Sequence, residues 1–411
     1  MTRRKLIVIN AILLLLILLP SLIYPCTTAI ISGKFTKDGR PLLFKHRDTG
    51  TLDNKLMFFS DGKYEYIGVV NSPDLEGKEV WAGVNSAGFA IMNSASYNLN
   101  LNDTTTIKDQ EGVVMKLALQ QCATIEDFET LLGTLIKPLG VEANFGVIDA
   151  NGGAAYYETG NFDFTKYDVN DQTIAPFGYI IRTNHSFTRD AEKGYGYIRF
   201  QNANELFNIA SATNEFSHEF ILQKVSRSLR HSLTKVDLMR NLPIESGTPC
   251  FVDFRDFIPR FSSAATTVVQ GVKPGESPEF TTMWTILGFQ LCSVAIPTWV
   301  AGGEQMPGLL MVNEKGSAPL CDMALKLKKE CFPIERGSGK YYMNLSAVVN
   351  QEETGILQQL FPVEEKIFEL TDSYMSLWRG SKMDKREIQK FYKLINGFVL
   401  KTYKAKFGFK I

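Results

Sequence analysis

Blocks of strand-like and helix-like sequence alternate along this chain of 411 residues, and that order restricts the folds it can adopt. Short β-rich runs separated by turn residues fill the first part, as at residues 27–33 and 41–45. Helical periodicity replaces them at residues 108–122 and again at 124–135, where Thr124 is the predicted N-cap. Strands that alternate in blocks with helices predict an α+β fold in which helices cover the sheets.

The second half of the chain repeats this order. The strand pattern returns at residues 263–271, after a short helix predicted at residues 235–242. Toward the C-terminus, apolar residues recur at helical spacing in residues 356–360, 363–378 and 385–404. We therefore expect one main domain at residues 26–340 and a helical C-terminal extension at residues 341–411 that packs on it.

The N-terminus has the features of an export leader. Basic residues at positions 3–5 precede an almost unbroken apolar stretch at residues 6–24. We therefore expect a periplasmic or extracellular protein from which residues 1–25 are removed. The apolar stretch is longer than an ordinary signal-peptide core, and no small-x-small cleavage pattern precedes Cys26. Retention of the leader as a membrane anchor is therefore the alternative.

Composition excludes several classes of function. The chain carries 44 basic and 44 acidic residues without charge blocks, so a nucleic-acid partner is not expected. Its 4 histidines and 6 cysteines are scattered without metal-ligand spacing, so we expect no metal and no cofactor. Cys321 and Cys331 are near in sequence and could form a disulfide in an oxidising compartment, with buried free thiols as the alternative.

Cys26 stands directly after the apolar segment and begins the run CTTAII. A thiol attacks well only as a thiolate, so a nucleophilic cysteine needs a base beside it. If residues 1–25 are removed, the freed α-amine of Cys26 can be that base, because α-amines have a pKa near ~7.7–8.0. Cys26 is therefore a candidate N-terminal nucleophile.

The motif KHRD at residues 45–48 ends a strand that a hairpin turn returns beside Cys26. Asp48 could hold the α-amine, and a neighbouring cation would favour the thiolate. The cation is either Lys45 or Arg47, and the residues leave both open. A surface ion pair at the end of the strand is the alternative interpretation.

Three further polar side chains stand where apolar packing gives them no role. Asn93 ends an apolar strand and could donate an N–H to a developing oxyanion. Asn184 also follows an apolar run and is a second candidate donor, or a group that positions the amine. Arg199 opens a predicted helix after a Gly-rich loop. Each of these signals is weak alone, and their order along the chain gives them weight.

Taken in order, these segments resemble a known family. The motifs CTT at residues 26–28, DGRPLL at 38–43 and KHRD at 45–48 are similar to the start of the cysteine-type N-terminal nucleophile (Ntn) hydrolases. The nearest branches are the penicillin acyltransferase-like and choloylglycine hydrolase-like linear amide hydrolases. The segments with the three polar side chains follow in the family's order, so the resemblance covers roughly residues 26–299.

The resemblance implies a four-layer αββα fold, with two antiparallel sheets between helices and Cys26 at the end of an inner strand. It implies that Cys26 attacks the carbonyl carbon of a linear amide with its α-amine as general base, which Asp48 orients. Asn93 would stabilise the oxyanion, and Asn184 would help to hold the substrate and the amine. Arg199 would steady the site or the substrate.

One departure from the family concerns the cation. Bile-salt hydrolases and ceramidases have an Arg three residues before the Asp, where this chain has Lys45, and here Arg47 stands next to Asp48. A lysine keeps the charge but not the bidentate geometry of an arginine. The resemblance also implies pocket walls built from loops such as residues 160–171 and 246–259.

These features predict an exported hydrolase that cleaves the carbon–nitrogen bond of linear amides through a Cys26 thioester. Bile-acid amides, N-acyl amino acids, penicillins and small peptides are the candidate substrates, so the expected partner is a small-molecule amide. Two alternatives stay open on the sequence: an acyltransferase with the same fold, and a membrane-anchored binding protein in which Cys26 is never exposed.

Overall fold

Two antiparallel sheets lie face to face in the computed structural model, which describes residues 26–245 and 247–410. The predicted leader, residues 1–25, lies outside the described residues. In the first sheet the strands are, in spatial order, β10 (Tyr179–Arg182), β1 (Thr27–Ile31), β2 (Leu42–Asp48), β14 (Ser263–Gln270), β15 (Thr282–Leu287) and β16 (Ile296–Thr298). In the second sheet they are β3 (Asn54–Phe59), β4 (Tyr66–Asn71), β5 (Ala82–Asn85), β6 (Ala90–Ala95), β7 (Ala143–Ile148), β8 (Ala154–Thr159) and β9 (Phe164–Asp168).

The inner faces of the two sheets share one hydrophobic core, because side chains alternate between the two faces of each strand. On β6, Ala90 and Met92 belong to this shared core, whereas Ile91 between them belongs to a second core. The second core lies between the outer face of that sheet and two helices, α1 (Glu111–Gln121) and α2 (Ile125–Thr134). These helices form the first outer layer.

Helices also cover the outer face of the first sheet. They are α3 (Tyr197–Thr213), α4 (Pro319–Cys331), the one-turn α5 (Leu345–Val348), α6 (Ile356–Arg379) and α7 (Lys385–Phe407). Trp284 on β15 packs edge-on against Phe368 of α6 with ring centroids 5.1 Å apart, and Trp299 packs in the same way against Trp378 at 5.2 Å. The described chain therefore has helix, sheet, sheet and helix layers, which confirms the predicted αββα sandwich.

Two short two-stranded sheets are also present in the described chain: β11 (Arg230–His231) with β12 (Val236–Asp237), and β13 (Phe251–Asp253) with β17 (Tyr342–Asn344). The predicted helix at residues 235–242 is therefore wrong. Lys235 has a φ of 56° and turns the chain from β11 into β12, a conformation that a right-handed helix cannot contain. The C-terminal segment likewise begins with a strand, β17, before its helices.

Other helix predictions agree with the structure more closely. Thr124 caps α2 as predicted, in a reciprocal capping box with Asp127. The helices predicted at residues 356–360 and 363–378 are one helix, α6, which continues through Pro362. The ring of Pro362 lies on the solvent-exposed side of α6. No helix in the described part of the chain is both long and apolar enough to cross a membrane.

All six cysteines are free thiols, and Cys250 alone among them is more than marginally exposed. A Cys321–Cys331 disulfide is excluded, because the two residues lie near opposite ends of α4, about 15 Å apart at the ~1.5 Å rise per residue of a helix. Cys331 instead approaches Cys292, with their Sγ atoms 3.4 Å apart in the core.

A buried ion pair joins the C-terminal helices to the sandwich. Both Nη atoms of Arg227 donate to Glu364 of α6, at 2.6 and 2.7 Å, and the two side chains are 1% exposed. Glu364 also accepts a hydrogen bond from the backbone N–H of Ala295, at 2.7 Å. This carboxylate is therefore the point at which α6 is bonded to the loop between β15 and β16.

Replacing Glu364 with alanine should lower the free energy of unfolding by about 3–5 kcal/mol, because Arg227 would keep a buried charge without its partner. Denaturant titration of the Glu364→Ala variant measures the loss. The matched control is Glu365→Ala, since Glu365 is exposed on the same helix and should change stability by less than about 0.5 kcal/mol. Equal effects from the two substitutions would contradict this account.

Candidate active site

Cys26 stands immediately before β1, an inner strand that pairs with β10 on one side and β2 on the other. The pairing sets Thr27 opposite His46, so the end of β2 lies beside Cys26, as the sequence predicts. Cys26 is 7% exposed and lines a cavity of about 320 Å³. Its thiol lies 3.8 Å from the backbone carbonyl oxygen of Asp48 and is placed to donate to it.

The side chains of the KHRD motif alternate between two environments. Lys45 and Arg47 contact residues of the second sheet across the inner core, whereas His46 and Asp48 contact residues of β14 or just before it in the same sheet. All four are buried. The surface ion pair considered from the sequence is therefore excluded.

Asp48 is held by two residues that the sequence did not identify. Arg260 donates to Asp48 Oδ2 from Nε at 3.0 Å and from Nη2 at 2.6 Å, and Ser263 Oγ donates to Oδ1 at 2.5 Å. Ser263 lies opposite Asp48 in the β2–β14 register. Only this long-range pairing brings the polar cluster before residue 263 to the site, so the sequence gives no signal for its role.

His46 extends this network. Its Nε2 lies 2.8 Å from Ser263 Oγ, and its Nδ1 lies 3.3 Å from Thr266 Oγ1. Burial lowers the pKa of His46 to about 4, against the opposing effect of Asp48, so the ring is neutral at neutral pH. Since Ser263 gives its proton to Asp48, it accepts from His46 Nε2–H, which assigns the tautomer.

Lys45 and Asn93 form the part of the site that faces the cavity beside Cys26. Lys45 Nζ donates to Asn93 Oδ1 and to the carbonyl oxygen of Trp81, both at 2.6 Å. Asn93 Nδ2 makes no hydrogen bond to any described residue, so the amide is held with its donor end unoccupied. Burial lowers the pKa of Lys45 to about 7, and a negative charge on Cys26 would raise it.

Arg47 is held differently. Nη1 donates to Asn54 Oδ1 at 2.5 Å and Nη2 donates to Asn71 Oδ1 at 3.0 Å, while the guanidinium carbon lies 4.9 Å from the centre of the Trp81 ring. Burial lowers the pKa of Arg47 to about 10, so it stays charged at neutral pH. Arg47 also lines the cavity with Cys26.

Asn184 and Arg199 lie behind Cys26 rather than in the cavity. Arg199 Nη1 donates to the carbonyl oxygen of Cys26 and to Thr27 Oγ1, and Nη2 donates to Asn184 Oδ1 at 2.9 Å. Asn184 Nδ2 donates to the carbonyl oxygen of Ala95 at 2.8 Å. Burial lowers the pKa of Arg199 to about 9. As placed here, Asn184 supports Arg199 and offers no donor to the cavity.

The cavity walls come mainly from segments other than the expected loops. They are formed by residues 95–111 and 140–142, together with the strand ends that carry the site. Of the expected wall at residues 160–171, Asn161 contributes and much of the rest is β9. Among the described residues of the expected wall at 246–259, none lines this cavity.

The arrangement can stabilise negative charge. Lys45, Arg47 and Arg199 surround Cys26, and Asn93, whose Nδ2 donor has no partner among the described residues, lines the same cavity. Fixed cations and oriented donors in a site shielded from water lower the energy of an anion without reorganising at the moment of reaction. A thiolate and an oxyanion are the two anions that such a site would stabilise.

The fold and the site together define a class: a four-layer αββα protein with a buried thiol at the start of an inner strand. No family model and no curated protein sequence matches the chain. Solved structures do match, among them a Caenorhabditis elegans ortholog of N-acylethanolamine-hydrolyzing acid amidase, at 13% identity and a TM-score of 0.43, over 64% of this chain and 99% of that chain.

Two hydrolases of bacterial origin are also among the matched structures. A variant of the conjugated bile acid hydrolase from Clostridium perfringens matches at 12% identity and a TM-score of 0.39, over 67% of this chain and 92% of that one. Penicillin V acylase from Agrobacterium tumefaciens matches at 13% identity and a TM-score of 0.37, over 67% of this chain and 86% of that chain. The chemistry inferred for this chain rests on its own side chains.

Alkylation of the folded protein should separate Cys26 from the core cysteines. Burial raises the pKa of Cys122 and of Cys321 to about 12, so almost none of either is thiolate near neutral pH. Iodoacetamide should therefore label Cys26 more than about tenfold faster than these two, as measured by peptide mass spectrometry over time. The partly exposed Cys250 is the internal reference for a solvent-accessible thiol. Equal labelling of Cys122 and Cys26 would contradict the assignment.

Proposed function

We propose that the protein is an exported hydrolase that cleaves the carbon–nitrogen bond of linear amides through Cys26. The single observation that carries the proposal is the placement of the Cys26 thiol in a cavity beside Asn93, whose Oδ1 is held by Lys45 and whose Nδ2 has no partner in the described chain. A nucleophile and an aligned oxyanion donor are the minimum that acyl transfer requires.

In the proposed reaction, removal of residues 1–25 frees the α-amine of Cys26, which takes the proton of the thiol. The thiolate attacks the amide carbonyl carbon, and Asn93 Nδ2 donates to the oxyanion while the Lys45 charge stabilises it. Collapse breaks the carbon–nitrogen bond, and the α-ammonium returns its proton to the leaving amine. Water then adds to the thioester with the same amine as base, releasing the acid and the thiol.

Asp48 and Arg199 are positioning residues in this proposal. Arg199 donates to the carbonyl oxygen of Cys26, which supports a fixed orientation of that residue and of its amine. The Asp48 carboxylate is bonded by Arg260 and Ser263, so it is held rigidly near the same residue. Orientation of the amine by Asp48, expected from the family resemblance, is part of the proposal.

Replacing Cys26 with alanine should reduce amide hydrolysis by a factor on the order of 10⁴ or more, because the covalent step is lost. The assay follows amine release from a panel of N-acyl amides by the exported protein. Cys250→Ala is the matched control and should keep full activity, since Cys250 does not line the cavity. Undiminished activity in Cys26→Ala would sink the mechanism.

The same material decides between this proposal and its alternatives. N-terminal sequencing should find Cys26 as the first residue, and a mature chain that starts earlier would remove the proposed base and favour the anchored binding protein. Addition of an acceptor amine should leave the acid as the main product. A new amide as the main product would instead identify an acyltransferase.

The pH profile should have an alkaline limb, because Lys45, with its pKa lowered to about 7 by burial, loses the charge that stabilises the oxyanion as pH rises. The α-amine of Cys26, with a pKa near ~7.7–8.0, should set the acid limb. In Lys45→Arg this alkaline limb should move upward by more than about one pH unit, since arginine keeps its proton. Profiles of kcat/KM against pH measure the limb in both proteins. An unchanged alkaline limb in Lys45→Arg would show that Lys45 does not set it.

A further inference from the structure

Three buried cations around Cys26 have no ion-pair partner in the described chain. Lys45 is 2% exposed, Arg47 is 5% exposed and Arg199 is fully buried, yet none of the three forms an ion pair within the described chain. The nearby acid, Asp48, is paired with a fourth cation, Arg260, at 2.6 Å. A buried cation without a counter-charge is costly, so these unpaired charges require an explanation.

The thiol explains only part of this unpaired charge. A thiolate on Cys26 would offset one charge, and Lys45, whose pKa burial lowers to about 7, can release its proton. The Nη atoms of Arg199 already donate hydrogen bonds to Cys26, Thr27 and Asn184. Arg47 keeps its charge, since its pKa falls only to about 10, and it lines the cavity. Arg47 is therefore the buried cation left for something that enters the cavity, where the other lining cation, Lys108, is exposed to solvent.

The contacts of Arg47 fix its orientation without neutralising it. Its two Nη atoms donate to the amide oxygens of Asn54 and Asn71, and the Trp81 ring lies against the guanidinium. Its Nε makes no hydrogen bond to a described residue. Glu79 acts on Arg47 through space but forms no ion pair with it. Neutral partners thus hold the guanidinium in place while its charge is available.

Besides Asp48, four acidic side chains line the cavity, and three of the four have other contacts. Asp103 accepts hydrogen bonds from the backbone N–H of Thr105 and from the side chain of Asn161. Glu142 accepts from the backbone N–H groups of Leu99 and Asn100. Glu111 accepts from the backbone N–H of Glu142. The fourth, Asp109, is largely exposed. None of the four forms an ion pair with Arg47 in the described chain. These acids stabilise the wall and leave the charge of Arg47 unpaired.

We propose that Arg47 binds a carboxylate of the substrate, so that Cys26 acts on small linear amides that carry a carboxylate. This inference rests on the proposed function, because it takes Cys26 as the nucleophile that cleaves the amide. A guanidinium fixed in orientation and lining a cavity of about 320 Å³ suits a small anionic ligand. The carboxylate could belong to the amine half, as in an N-acyl amino acid, or to the acyl half, as in a dicarboxylic acid monoamide.

Ligand-induced thermal shifts test the binding and locate the carboxylate. The full chain with Cys26→Ala is melted with millimolar N-acetylglycine, with succinamic acid, or with neutral N-acetylglycinamide. Either acid should raise Tm while the neutral amide does not. The acid that gives the larger Tm shift identifies which half of the substrate carries the carboxylate. The shift should vanish in Cys26→Ala/Arg47→Gln. Equal shifts from acid and amide, or no shift from either acid, would overturn the proposal.

A second measurement has its deciding comparison in the unmodified protein, so it does not depend on the folding of an Arg47 variant. Iodoacetate and iodoacetamide differ by a carboxylate against a neutral amide, and both alkylate thiols. At each cysteine the rate of alkylation by iodoacetate is divided by the rate with iodoacetamide. This ratio should be about tenfold or more higher at Cys26 than at Cys250 in the same sample, because a hydrogen bond to a charged group is worth at least a factor of ten in binding. In Arg47→Gln the ratio at Cys26 should fall toward that at Cys250. Equal ratios at the two cysteines of the unmodified protein would refute a carboxylate site.

The two proposals fail in different ways. Hydrolysis of neutral amides that depends on Cys26 and matches that of the anionic ones would remove the carboxylate preference and leave the amide hydrolase. Loss of all Cys26-dependent hydrolysis, with binding of the acids intact and dependent on Arg47, would remove the hydrolase and leave an anion-binding site.

Discussion

The face-to-face packing of the two sheets is the constraint on which the site depends, because it takes the charged end of β2 out of water. A strand that ends in lysine, histidine, arginine and aspartate would ordinarily end at the surface. Here each of those side chains is buried and each must find partners. The amides of Asn54, Asn71 and Asn93 on the opposite sheet, and the polar residues at the start of β14, are those partners.

The two-residue repeat of β2 divides these partners by chemistry. On one face, Lys45 and Arg47 meet neutral amides and an aromatic ring, so their charge persists in the cavity. On the other face, Asp48 meets a guanidinium and a hydroxyl, so its charge is offset. Consecutive residues of one strand thus place two cations without ion-pair partners on one side and a neutralised network on the other.

Contacts between residues that are near in sequence could be predicted, whereas contacts between residues far apart in sequence could not. The block order of strands and helices was sufficient for an α+β fold in which helices cover the sheets, and the family resemblance supplied the four αββα layers. One hairpin was sufficient to bring residues 45–48 beside Cys26. Arg260 could not be foreseen, because it reaches Asp48 only through the pairing of β14 with β2 across more than 200 residues. Asn184 was expected to face the site, but the sequence could not show that Arg199 occupies its side-chain oxygen.

The bond from Arg199 to Cys26 has a consequence for any chain end created there. Arg199 holds Cys26 through the carbonyl oxygen of Cys26, and β1 pairs with β10 and β2 on its two sides from Thr28 onward. Neither attachment uses the nitrogen of Cys26. Cutting the peptide bond before this residue would therefore leave every one of these restraints in place, and the new terminus would stay docked where most chain ends fray.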